Sequence, residues 1–96
     1  MLYALICTDK PGQLDLRLKA RPDHLVFLDG LGAALKGAGP FLGDDEKPNG
    51  SLIIIETESK SAAQAIAARD PYALAGLFQS VDIRPWKWLI QNPWSA

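Results

Sequence analysis

The chain opens on Leu2-Tyr3-Ala4-Leu5-Ile6-Cys7, a short run that is apolar on both alternating sets of positions and is closed by the turn signal Asp9-Lys10-Pro11-Gly12. That pattern predicts a strand covered on both faces. Leu14–Leu18 reads as a short helical turn, and Pro22 suits the first position of a longer helix over Asp23–Lys36. At about 100° per residue, His24, Leu25, Leu28, Leu31 and Leu35 share one apolar sector of that helix. Gly30 and Gly32 weaken its propensity, so packing has to hold it, and Gly37 ends it.

Ala38–Gly43 is a weak strand in which Pro40 points to a sheet edge. Asp44–Gly50 is a polar loop, and its Asn49-Gly50 pair suits a hairpin turn with positive φ. Ser51–Thr57 is the clearest strand, with Leu and Ile on both faces. A helix capped by Ser59 or Ser61 runs through Ala-rich sequence to Arg69. Asp70-Pro71-Tyr72 breaks it, because the residue before proline is pushed out of the α region, and Pro71 opens a short turn through Gly76. Phe78–Leu89 supplies a last strand whose apolar phase changes around Pro85, as at a bulge or an edge.

This order, βαββαβ with a short extra helix before the last strand, predicts the α+β class. The arrangement is ferredoxin-like, a four-stranded antiparallel sheet with both helices on one face. Ile53, Ile54 and Ile55 then leave apolar surface on the bare face. A second copy of the chain would cover it, so a symmetric homodimer is expected, with stacking into a higher oligomer left open.

Composition narrows the function. The 96 residues suit one domain spanning 1–96, and 48% apolar against 22% charged residues describes a chain that folds. A net charge of −1 provides no field to recruit nucleic acid or an anionic membrane. An RNA-recognition module of the same element order would need aromatic and basic residues on its central strands, and Ser51–Thr57 has neither. Met1–Cys7 lacks the basic flank and the length of an export signal, and no stretch approaches the roughly 18 to 20 apolar residues of a membrane span. Cys7 is the only cysteine, which excludes an internal disulfide framework and suits a reducing, cytoplasmic setting. No metal or other cofactor is expected. One histidine and scattered carboxylates give no ligand spacing, and Gly37-Ala38-Gly39-Pro40 lacks the context of a phosphate loop.

His24, the only histidine, lies near the start of a helix. It reads either as a buried neutral ring or as a base that needs a carboxylate partner. Asp70 is one candidate partner, since the bent backbone between two helices lets it reach the first helix; it also reads as a simple N-cap before Pro71. A His–Asp pair would hold one ring nitrogen as N–H and raise the basicity of the other, which suits proton abstraction. Cys7, inside an apolar strand, reads as a buried inert thiol and not as a nucleophile. Arg17 and Arg21 precede His24 and can line the same opening, attracting a carboxylate substrate, or else simply solvate the entrance to the helix. Trp86, Trp88 and Trp94 suit a ligand wall or dimer contacts.

Met1-Leu2-Tyr3, Arg21-Pro22-Asp23-His24-Leu25, Gly37-Ala38-Gly39-Pro40, Ser59–Ala68, Asp70-Pro71-Tyr72 and Val81–Lys87, in this order and spacing, resemble the YCII-related (YciI-like) family. The resemblance implies a dimeric α+β barrel. It implies His24 as acid/base and Asp70 as its orienting partner, and Tyr72 of the same motif joins Arg17 and Arg21 as expected substrate contacts. Some relatives are similar to enzymes that remove HCl from chlorinated lactones or hydroxyquinols, and a substrate does not carry over from them. The tail from Trp86 to Trp94 lies outside the family pattern. Two functions are therefore expected. One is a cytoplasmic acid/base enzyme performing elimination or isomerisation on a small, anionic organic molecule; the other is a non-catalytic dimeric module binding a small ligand or a partner protein.

Overall fold

The computed structural model describes residues 1–94. Its strands are β1 (Leu2–Asp9), β2 (Leu35–Leu42), β3 (Pro48–Glu56) and β4 (Phe78–Trp86), and its helices are α1 (Leu14–Gly30), α2 (Lys60–Ala68) and α3 (Pro71–Leu74). The strands form one antiparallel sheet in the order β2-β3-β1-β4, the ferredoxin-like arrangement expected from the element order. β2 and β4 are the edges, and each carries a proline, Pro40 or Pro85, where a missing N–H is tolerated.

Alternation along the strands separates two faces. Leu5 is paired with Ile53 on one side and Ile83 on the other, and with Tyr3, Cys7 and Ile55 these side chains meet Ala63 and Ala67 of α2. Leu28 and Leu31 pack onto the same cluster from α1 and the turn after it. Small alanines let α2 approach the sheet closely, and the large β-branched residues fill the space above it. The other face presents Ala4, Ile6, Leu52 and Ile54 at its centre, with Phe41 from β2 and Trp86 from β4 at its margins. Among the described residues no helix is long and apolar enough to cross a membrane.

Several local expectations are corrected. α1 is a single helix from Leu14 to Gly30 with Pro22 inside it, where a short turn and a separate helix starting at Pro22 were expected. Proline at that position forgoes one i→i−4 bond. The continuous helix in exchange buries Arg17 and His24 on one side. It also ends earlier than expected, passing through a 3₁₀ turn at Gly32–Ala34 before Leu35 and Lys36 enter β2. Of the expected apolar sector, His24, Leu28 and Leu31 turn inward, whereas Leu25 is 45% exposed and Leu35 belongs to β2.

The β2–β3 turn is Gly43–Lys47, shorter than the expected loop. Glu46 supplies the positive φ of 64°, and Asp45 Oδ1 accepts the Lys47 N–H. Asn49-Gly50 therefore belongs to β3 and not to the turn. Gly50 answers a different need, since a Cβ there would stand 2.5 Å from the Cys7 carbonyl oxygen of the neighbouring strand. β4 stops at Trp86, three residues short of the expected Leu89. Beyond it, Trp88 packs 5.3 Å from Trp86, and Lys36 Nζ lies 4.4 Å from the Trp94 ring centre. Lys36 is on one edge strand and Trp86 on the other, so the tail crosses from edge to edge.

Candidate active site

Positions i, i+4 and i+7 share one helix face, so the unbroken α1 brings Arg17, Arg21 and His24 into a single stripe. The α2–α3 junction supplies Asp70 and Tyr72. Asp70 has the extended backbone that Pro71 imposes on the preceding residue, with φ −60° and ψ 126°, and it is the N-cap of α3. Its Oδ1 accepts the Tyr72 N–H at 2.9 Å and lies 2.8 Å from His24 Nδ1. Both alternative roles read from the sequence, cap and histidine partner, thus fall on one oxygen. Oδ2 is buried without a hydrogen-bond partner among the described residues.

Asp70 is 1% exposed and His24 7%. With Asp70 as a carboxylate, Nδ1 carries the proton and Nε2 is left with its lone pair. Among the described residues Nε2 has no hydrogen-bond partner, and it is not sealed from solvent-sized space. His24 lines a cavity of about 220 Å³ together with Arg17, Arg21, Ser51 and Tyr72, with Leu28, Pro40 and Ile53 as apolar wall. That volume suits a molecule of about one ring. A larger open cleft of about 880 Å³ lies between the β1–α1 and β2–β3 turns. His24, Arg17, Arg21 and Tyr72 line the smaller cavity and not this cleft, so the smaller cavity is the one equipped for acid/base chemistry.

Behind the cavity Arg17 is buried and bound on several sides. Its Nε donates to Asp9 Oδ2 at 2.6 Å, and its Nη2 donates to Asp9 Oδ1 at 3.0 Å and to Ser51 Oγ at 2.8 Å. Burial alone would lower its affinity for the proton, but the hydrogen bond and charge of Asp9 outweigh that and hold the guanidinium above its ordinary value. Arg17 Cζ lies 4.5 Å from the centre of the Tyr72 ring, which stacks on the His24 imidazole at 3.9 Å and 16°. Burial raises the Tyr72 phenol, with Arg17 and Arg21 pulling the other way, so it stays protonated. Cys7 is pushed up to about 12, first by burial and then by the Asp70 charge, which makes it the inert thiol expected from its strand position. Arg21 is exposed at the rim and has no carboxylate partner among the described residues.

All five candidate residues, His24, Asp70, Arg17, Arg21 and Tyr72, therefore meet at one place. Asp9 and Ser51 were missed. Their signal was the strand alternation itself, since Asp9 is in phase with Tyr3, Leu5 and Cys7, and Ser51 with Ile53 and Ile55. A polar residue at core register needs a buried partner, and an acid there calls for a cation.

The chain resembles proteins of known sequence over most of its length. It is 40% identical over 95 residues to protein YciI of Escherichia coli O6:H1, covering 91% of this chain and 97% of that protein. It is 39% identical over 95 residues to an uncharacterised protein of Haemophilus influenzae, with the same coverage. Among solved structures it is similar to the 5-chloro-2-hydroxyhydroquinone dehydrochlorinase of Burkholderia phenoliruptrix AC1100 in complex with 2,5-dihydroxybenzoquinone. That similarity has a TM-score of 0.84 at 35% identity, covering 91% of this chain and 94% of that one. A NIPSNAP family protein of Agrobacterium tumefaciens shares the fold alone, with a TM-score of 0.59 at 15% identity over 98% of this chain and 97% of that one. The family model of the YCII-related domain matches residues 1–87, the whole of the sheet, the helices and the site, and the chain belongs to that family.

Proposed function

We propose that this protein is a small cytoplasmic enzyme, active as a homodimer, in which His24 performs acid/base chemistry on a small anionic organic molecule. The observation that carries the reading is the 2.8 Å contact of His24 Nδ1 with buried Asp70, which leaves Nε2 as the unpartnered base on a cavity rimmed by Arg21. Asp70 fixes the tautomer and favours the imidazolium once the proton arrives. Arg21 attracts the anionic group of the substrate, and Arg17 and Tyr72 lie on the same cavity wall.

In an elimination from a saturated carbon, Nε2 takes a C–H proton, the C–H pair becomes the new double bond, and the neighbouring C–Cl bond breaks with its pair to give chloride. A chlorinated hydroxyquinol reaches the same end from its keto tautomer, whose chlorine-bearing carbon is saturated. There Nε2 takes a hydroxyl proton, the O–H pair becomes C=O, the enol double bond shifts to the chlorine-bearing carbon, and chloride leaves with the C–Cl pair. In an isomerisation the same nitrogen returns the proton to a different carbon. The dehydrochlorinase similarity favours the first, and 5-chloro-2-hydroxyhydroquinone is the first substrate to try. Chloride release by the purified protein is expected to fall about 10²- to 10⁴-fold in His24→Gln. A His24→Gln variant that releases chloride at the wild-type rate overturns the assignment.

Homodimer formation is supported by the half-buried Ile6 and Leu52 on the helix-free sheet face, beside Ala4 and Ile54, which the single chain already buries, with Phe41 and Trp86 exposed at the margins. Leu52→Lys places a charge at the centre of that face. It is expected to convert a dimer into a monomer in sedimentation, and a wild-type monomer at micromolar concentration removes the dimer from the proposal. The free, buried Cys7 suits the reducing cytoplasm.

A further inference from the structure

Arg17 and His24 are seven residues apart on α1, about 10.5 Å along its axis. The Tyr72 ring fills the gap between them, 3.9 Å from the imidazole centre and 4.5 Å from the guanidinium carbon. One face of a phenol ring has room for a single planar group at such distances, so the histidine and the arginine take opposite faces. This places a guanidinium within about 8 Å of a base that has to accept a proton. An unpaired cation there, in buried surroundings, would oppose the second positive charge. Asp9 removes the opposition, because it pairs with Arg17 through two bonds of 2.6 and 3.0 Å and both residues are buried.

We infer that Asp9, Arg17 and Tyr72 form a positioning stack for His24. In it the Asp9–Arg17 pair braces the back of the Tyr72 ring, and the ring fixes the imidazole plane so that Nδ1 meets Asp70 and Nε2 meets the cavity. Asp9 also cancels the arginine charge, so that protonation of His24 is not opposed. Arg17 and Tyr72 thereby acquire a role that needs no contact with the reactant, and both faces of the Tyr72 ring are already used. The inference rests on the acid/base reading of His24 and deepens it. The groups that bear on the imidazole are Asp70 and Tyr72 from α3, Arg17 and Arg21 from α1, and Asp9 and Cys7 from β1 through their proximity to Arg17; β3 contributes the uncharged Ser51.

The test uses the only imidazole of the chain, followed by NMR in the full-length protein without any substrate. Asp9→Asn is expected to move the His24 titration curve to lower pH by about one unit, because the arginine charge is then uncompensated. Asp9→Asn/Arg17→Met, which removes both charges, is expected to restore the wild-type curve. A purely structural clamp would be damaged in both variants alike. Tyr72→Phe is expected to keep the wild-type ring-nitrogen shifts that report an Nδ1–H tautomer, and Tyr72→Leu to replace them with a mixture of tautomers. An unmoved curve in Asp9→Asn, a double variant no closer to wild type, or wild-type tautomer signals in Tyr72→Leu overturns the stack. If Asp9→Asn does not fold, the two Tyr72 variants decide. Loss of the acid/base proposal would appear in the chloride assay of His24→Gln and leave these spectra unchanged, so the two failures are distinguishable.

Discussion

Asp70 Oδ1 stands 2.8 Å from His24 Nδ1, joining residues 46 positions apart through an oxygen that also caps α3. Helix capping and imidazole orientation therefore share one atom, and substitutions can separate them. Asparagine keeps an oxygen able to accept from Tyr72 but loses the negative charge. Asp70→Asn is expected to change stability by less than about 1 kcal/mol and to lower turnover about 10²- to 10⁴-fold. Asp70→Ala loses the cap as well and should destabilise by a further 0.5 to 2 kcal/mol, about the usual range for an N-cap. Urea titrations and chloride release measured on the same preparations separate the two. Full turnover in Asp70→Asn would remove its orienting role.

The two arginines of the α1 stripe are expected to behave oppositely. Arg17→Met leaves Asp9 buried and unpaired, which typically costs about 3 to 5 kcal/mol. Arg21 is exposed, so Arg21→Met should leave the urea midpoint unchanged and weaken binding of an anionic substrate about tenfold, visible in KM. An Arg21→Met variant with unaltered KM would show that the anionic group docks elsewhere.

Alkaline pH should weaken the fold through Cys7. Its thiol is raised from an ordinary 9.0 to about 12, so between these values the folded chain holds a proton that the unfolded chain has lost. Stability is then complete below about pH 9 and falls as pH rises toward 12, by up to about 1.4 kcal/mol per pH unit. The raised Tyr72 phenol acts in the same direction. Urea midpoints measured from pH 8 to 10.5 are expected to fall less steeply in Cys7→Ala. Equal slopes in the two proteins would refute the assignment.

Gly50→Ala should be costly even though the backbone there lies within a strand. The added methyl would sit 2.5 Å from the Cys7 carbonyl oxygen, so β1 and β3 must separate locally. A loss of about 1 to 3 kcal/mol is expected in denaturant titrations, the usual range for overpacking. Gly39→Ala, whose Cβ meets nothing within 4 Å, serves as the control.

Element order and strand pairing were legible because Leu2–Cys7 and Ser51–Thr57 admit no placement except the centre of a sheet, and the prolines mark its edges. Asp70 was legible because a residue before proline is bent whatever surrounds it. The continuous α1 was not. The local penalty at Pro22 is real, but burying Arg17 and His24 together against Asp9, Asp70 and Tyr72 outweighs it, and those partners lie far away in sequence. The Asn49-Gly50 pair misled for the opposite reason. Its turn preference is local, whereas the register of β3 against β1 fixes its place in the strand.

The single stripe on α1 also bears on how this chain can vary over generations. Inserting or deleting one residue between Arg17 and His24 rotates His24 by about 100° relative to Arg17 and removes it from Asp70 and Tyr72 together. Substitutions on the outer face of α1, at exposed positions such as Val26, leave that spacing intact. In the segment from Arg17 to His24, length is therefore more tightly constrained than identity. Changes of length belong at the Gly43–Lys47 turn, which holds none of the site residues.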